Sequence, residues 1–155
     1  AVRSRGLGDV YKRQDHVIAE PNTKIALSEV KLGILPAVIG PYVYKRLGSA
    51  NFRRLSMLAG KIDSNEALRV GFIDQLVDSE SSLATASVEV AEEILTSAPI
   101  AVSKVKHLTS RLDHWDGTDE QLRSWTLDLT SEMRASAEGQ EGLSAFLEKR
   151  DPSWK

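Results

Sequence analysis

The sequence predicts an α/β fold, either one globular unit or a piece of a larger one. Three observations predict it. The 155 residues, 41% of them hydrophobic, can bury one core and are too few for two ordinary domains. Up to about Ala98, β-branched and turn-rich segments alternate with helical ones. Beyond Ala98, nearly every segment repeats apolar residues at helical spacing.

The elements follow in chain order. "DHVIAE" (15–20) is a short β-branched run stopped by Pro21-Asn22, and "TKIALSEV" resumes an extended pattern, so two short strands flank a turn. Gly33, Pro36, Gly40 and Pro41 then crowd nine residues, which predicts a loop entering a helix near Pro41. Gly48 closes that helix. Ser49 caps the next, which ends before Gly60. Asp63 and Glu66 stand at capping-box spacing ahead of a two-turn helix that Gly71 terminates. "FIDQLVD" reads as a strand, and a long helix starts at Ser79 or Ser81 and runs to Ala98.

Pro99 opens a helix whose Ala101, Val105, Leu108 and Leu112 form an apolar stripe. After the turn at Asp116-Gly117, Leu122, Trp125, Leu129 and Met133 repeat it, and "EGQEGLSAFLEKR" makes a last short helix. Such stripes serve as core, or as a seam between copies of the chain.

Composition excludes several classes of function. There are no cysteines, so no disulfide or thiolate metal site exists, and three scattered histidines do not make a metal cluster. His16, His107 and His114 have no spaced carboxylate partner. No apolar run approaches the ~20 residues of a membrane helix. The net charge of −2 disfavours nucleic-acid binding. Lys45, Arg46, Arg53 and Arg54 form a local basic cluster, but no aromatic residues interleave with it in the manner of an RNA site.

The stretch richest in chemistry is "TKIALSEVKLGILPAVIGPYVYKRLG". Glu29 lies at a predicted strand end, near apolar Leu27 and Val30, before the Gly/Pro loop. A carboxylate in partly apolar surroundings resists ionisation and can exchange a proton near neutral pH. The alternative is a surface glutamate, or a partner for Lys31.

The segment "IALSEVKLGILPAVIG" resembles the "FALPEVKLGLIPGAGG" of the enoyl-CoA hydratase/isomerase (crotonase) family. The resemblance continues collinearly through "LAGKIDSNEALRVGFIDQLV" and "SAPIAVSKVK" to "EGQEGLSAFLEKRDPSW", which is similar to the family's terminal "EG..AF.EKR.P.F". Within the family, the serine before the glutamate and "PAVIGPYV" look most like methylglutaconyl-CoA and carboxygeranoyl-CoA hydratase-type members. Those act on branched acyl-CoA chains carrying a second carboxylate.

The resemblance implies the C-terminal part of the crotonase ββα spiral fold over residues 15–98 and a three-helix oligomerisation region over 99–155. It implies an acyl-CoA hydratase, in which two backbone N–H groups stabilise an enolate and two glutamates handle the water. Glu29 matches the second glutamate. Phe146 would contact the CoA of a neighbouring subunit, and Lys149 would pair with its nucleotide phosphate; a solvated cation at a helix C-terminus is the other reading of Lys149. Coenzyme A is part of the substrate, with no separate cofactor and no metal. The expected assembly is a homotrimer or a dimer of trimers in the cytoplasm, with no nucleic acid or membrane partner. The alternatives are an isomerase of the same fold and a non-catalytic assembly module.

In the family, the oxyanion loops and the first glutamate precede the strand that "DHVIAE" resembles, so the front half is expected to be absent and the chain as given inactive. Counted back without gaps from Glu29, Gly6 and Asp9 fall on the second oxyanion glycine and the first glutamate. Their flanks, "RGLGDVYKRQ", lack the family's glycine triplet and the small apolar helix after it. "SRGLG" and "DVYKRQ" can instead be encoded by TCT CGT GGG CTC GGA and GAT GTG TAT AAG AGA CAG, resembling a sequencing-library adapter. Residues 1–14 are therefore read as a non-native junction and excluded from site reasoning.

Overall fold

The computed structural model describes residues 15–155. They form two compact units, one ending at Ser87 and the other comprising Val88–Lys155. The first contains strand β1 (Ile18–Ala19), a 3-10 turn (Glu29–Leu32), helix α1 (Gly40–Leu58), helix α2 (Ser64–Arg69) and strand β2 (Gln75–Leu76). Helix α3 (Ser82–Leu95) spans the division, and α4 (Pro99–Asp113), α5 (Asp119–Ala135) and α6 (Ala137–Glu148) belong to the second unit.

β1 and β2 pair in parallel with Ile18 opposite Gln75 and Ala19 opposite Leu76. Both strands are shorter than their apolar runs predict, because each finds hydrogen-bonding partners over only a few residues. Asp74 extends the join: its carboxylate accepts from Val17 N at 2.7 Å and pairs with Arg46 on α1. Burial pushes the Asp74 carboxyl up, but the Val17 N–H and the Arg46 guanidinium outweigh it and hold the group below the usual carboxylate range.

The second predicted strand, 23–30, is a correction. Among the described residues its only ladder contact is an isolated antiparallel bridge between Ile25 and Ile62, and its end winds into the 3-10 turn that begins at Glu29.

α1 runs through the expected break at Gly48, whose φ of 70° and ψ of 168° kink it into two helical pieces. The residue that ends α1 is Ala59 rather than Gly60. It adopts φ 49° and donates its N–H to the Leu55 carbonyl. Asp63 caps α2 as predicted, accepting from Glu66 N at 2.8 Å. The reciprocal half of the capping box is missing because the Glu66 carboxylate is taken by Arg69 and Arg54. α3 begins at Ser82, with the Ser79 hydroxyl bonding Ser81 and Ser82, and ends at Leu95, before the predicted Ala98.

The core of the first unit has two linked parts. Leu27, Val43, Leu47, Leu55 and Val70 form one, and Val17, Ala19, Ala67 and Ile73 the other; half-buried Ile62 and Phe72 pack against both.

In the second unit, the Glu138 carboxylate accepts from Ile100 N at 3.0 Å and Ala101 N at 2.8 Å, satisfying two otherwise orphaned donors at the start of α4. Thr118 and Gln121 form a complete capping box at the start of α5. The stripes of α4 and α5 are not a closed core. Neither helix has a buried residue, and Val105 and Leu112 are 58% and 46% exposed. Ala101, Val105 and Leu108 of α4 and Leu129 and Met133 of α5 line an apolar groove of about 510 Å³ with Trp154. No helix among the described residues is long and apolar enough to cross a membrane.

Two carboxylates give the fold an acid limit. Hydrogen bonds from Arg69, then Arg54, lower the Glu66 pKa from 4.5 to about 2, and those from Arg150 and the Ser153 backbone do the same for Glu141. A depressed carboxylate pKa contributes stability that is complete above its unfolded value and disappears as pH falls through the folded one. Stability is therefore expected to drop between pH 4.5 and about 2. Denaturant titrations across that window should show a shallower drop in Glu66→Gln and Glu141→Gln; an unchanged slope in both would remove these groups from the acid transition.

Candidate active site

The sequence 28–33 folds tightly because its backbone bonds close locally. Lys31 N donates to Ser28 O at 3.1 Å, Gly33 N to Val30 O at 3.2 Å and Ile34 N to Glu29 O at 3.2 Å. Gly33 at φ 74° supplies the left-handed residue that this closure needs. Leu27, just before the turn, is 4% exposed and anchors it in the core. Glu29 is thereby held half-buried, and its Oε2 is buried without a hydrogen-bond partner.

An unpaired buried acceptor costs ~1–3 kcal/mol, and native structures rarely keep one without a use for it. The expected alternative of a Glu29–Lys31 pair is not formed among the described residues. The residue is fixed at its backbone and its Oε2 is unpartnered, which leaves a buried acceptor that a hydrogen-bond donor such as water would satisfy.

An apolar groove of about 480 Å³ follows the turn. It is lined by Val30, by the Leu35–Ala37 loop, by Gly40 and Pro41, and by Tyr44, Phe52, Arg53, Ser56 and Met57 of α1. Tyr44 and Phe52 meet edge to face, with ring centroids 5.9 Å apart. The Gly/Pro density seen in the sequence is thus the wall of a cavity. The contributions of Arg53 and Ser56 were not identified from the sequence. Their i,i+3 spacing on one helix, with Phe52 and Met57 beside them, is the signal that places them on a shared face.

The basic cluster does not act as one patch. Arg46 pairs with Asp74 and donates to the Phe72 carbonyl at 2.9 Å, while Arg54 pairs with Glu66. His16 faces Gln75, and His114 Nδ1 meets the Ser110 carbonyl at 2.7 Å. No group of three or more possible metal-ligating His, Asp or Glu side chains occurs among the described residues. Gly6 and Asp9 lie outside the described residues.

Phe146 and Lys149 share the end of α6, whereas Glu29 belongs to the other unit. Phe146 is 80% exposed. Lys149 caps the helix at φ 55°, its N–H reaching the Phe146 carbonyl at 3.3 Å, and Arg150 N reaches Ala145 O at 3.0 Å. Arg150 then clamps Glu141 through two bonds of 2.7 and 2.9 Å, and Glu141 also accepts from Ser153 N at 2.9 Å. The clamp pins the terminal segment against α6 and leaves the Lys149 ammonium exposed.

The sequence profile of a family described as enoyl-CoA hydratase/isomerase matches residues 12–155. Carnitinyl-CoA dehydratases from Citrobacter koseri and Salmonella agona are each 34% identical over 145 residues, covering 91% of this chain and 55% of the relative. Among solved structures, an enoyl-CoA hydratase from Shewanella pealeana superposes with a TM-score of 0.84 at 36% identity, covering 96% of this chain and 54% of the other. AtuE from Pseudomonas aeruginosa does so with a TM-score of 0.85 at 33% identity, covering 95% and 56%. The chain spans about half the length of the relatives it matches.

Proposed function

The chain belongs to the enoyl-CoA hydratase/isomerase family, and from that premise we propose that it carries the water-handling carboxylate of an acyl-CoA hydratase. The observation that carries the reading is Glu29 Oε2, buried and unpartnered, on the residue that immediately precedes the groove-lining Val30. In this role Oε2 accepts a hydrogen bond from the water that adds to C3 of a 2-enoyl thioester. Glu29 takes that water's proton as the oxygen bonds to C3 and the C2–C3 π pair moves onto the thioester as an enolate, which a second acid of the intact protein protonates at C2. In the reverse direction Glu29 returns the proton to the departing hydroxyl. Coenzyme A enters as part of the substrate, and the reaction is placed in the cytoplasm.

The finer proposal is a branched acyl chain bearing a second carboxylate, as in methylglutaconyl-CoA. It rests on the serine before Glu29 and on "PAVIGPYV" in place of the family's glycine-rich run. The proposed assembly is a homotrimer or a dimer of trimers, consistent with the half-exposed stripes of α4 and α5. Incubating the intact protein with 2-enoyl-CoA thioesters of graded length and branching should yield 3-hydroxyacyl-CoA. Double-bond migration without water uptake would favour the isomerase instead, and no turnover of any thioester would reject the hydratase.

Phe146 and Lys149 are proposed to hold the nucleotide end of CoA in a neighbouring subunit. Lys149 stands in the left-handed region, at φ 55° and ψ 39°, where a side chain costs roughly 1–2 kcal/mol relative to glycine. Lys149→Gly is therefore expected to raise the unfolding midpoint while abolishing any preference for CoA over 3′-dephospho-CoA. A lower midpoint, or a preserved preference, would contradict the respective half of this expectation.

A further inference from the structure

Resting on the acyl-CoA reading above, we propose that Arg53 and Ser56 form the carboxylate-reading end of the 480 Å³ groove and select thioesters whose acyl chain ends in a second carboxylate. Ser56 supplies the first observation. It is 8% exposed, lines the groove, and its Oγ has no hydrogen-bond partner. Serine and threonine hydroxyls inside helices ordinarily bond back to the carbonyl four residues earlier, as Thr109, Thr130 and Ser131 do here at 2.9, 2.7 and 2.9 Å. Ser56 does not, so a buried donor is left for something that enters the groove.

Arg53 supplies the second. Arg46 and Arg54 have their guanidiniums taken by Asp74 and Glu66, whereas Arg53 makes no ion pair among the described residues and lines the same groove. Three positions apart on α1, the two side chains share a helix face. A guanidinium and a hydroxyl on one helix face that lines an apolar cavity would match a carboxylate, which accepts from both. The rest of the wall is Leu35, Pro36, Pro41, Phe52 and Met57, which suits the hydrocarbon between thioester and carboxylate. A plain alkyl chain would leave the Ser56 hydroxyl unsatisfied.

The test is calorimetric titration of the intact protein with glutaryl-CoA and pentanoyl-CoA, which have equal carbon counts and differ in the far group. Glutaryl-CoA is expected to bind about tenfold more tightly or better. Arg53→Met should erase that preference, Arg53→Lys should keep part of it, and Ser56→Ala should reduce it. An unchanged affinity for pentanoyl-CoA confirms that each variant is folded. Equal binding of the two thioesters, or a preference that survives Arg53→Met, overturns this inference and leaves the acyl-CoA reading standing. Binding of neither thioester overturns both.

Discussion

If the proposed hydratase role holds, replacing Glu29 with glutamine in the intact protein is expected to lower kcat/KM for hydration by about 10²- to 10⁴-fold, the usual contribution of a positioned acid or base. The substitution keeps the shape of the side chain and an oxygen that can accept from water, but the amide cannot carry the proton. The backbone frame of the turn, with Lys31 N on Ser28 O and Ile34 N on Glu29 O, does not involve the carboxylate, so the fold should persist. The buried Oε2 makes no hydrogen bond that the amide would lose. Thermal unfolding and sedimentation should therefore match the parent while 3-hydroxyacyl-CoA formation collapses. An unchanged rate would remove Glu29 from the chemistry, and a purely structural assembly module would be indifferent throughout.

The largest stability effect is expected at Gly139. A Cβ built there would stand 2.1 Å from the Met133 carbonyl oxygen and 3.2 Å from that of Arg134, so backbone must move to admit it. The corner between α5 and α6 is tight because Ser136 serves both helices: its hydroxyl donates to Met133 O at 2.7 Å and accepts from Gly139 N at 3.0 Å. Gln140 Nε2 adds a bond to Arg134 O at 2.7 Å. Gly139→Ala should cost about 1–3 kcal/mol through overpacking alone, and more if the Ser136 cap opens. Gly142→Ala is the control, since its Cβ would meet the Trp154 ring at 3.0 Å, and a terminal side chain can give way. Chemical denaturation should rank Gly139→Ala well below Gly142→Ala; equal midpoints would show that the corner is not rigid.

The helices were largely legible because their signals are local. Pro41 and Pro99 stand in the first turn, Asp63 caps α2, and Gly71 at φ 78° follows it, all read from spacing and side-chain type. The strands were overextended because an apolar run states only a tendency to pair. Pairing here is limited to Ile18–Ala19 with Gln75–Leu76 and to the single Ile25–Ile62 bridge. Glu29 is singled out by its motif and its apolar neighbours, whereas the sequence does not single out Arg53 and Ser56 as groove-lining residues. Four nearby cations look alike in sequence, and only the folded chain gives Asp74 to Arg46 and Glu66 to Arg54.

By itself, then, the sequence determined the family, the helical periodicity and the carboxylate to watch, since motifs, caps and stripes are encoded within a few turns of chain. Tertiary structure alone decided which charges are spent on ion pairs, which hydroxyl is left unbonded, and that parts of the α4 and α5 stripes line a groove instead of a sealed core. Those outcomes depend on residues far apart in sequence competing for the same partners and the same buried space, and no local pattern records the result of that competition.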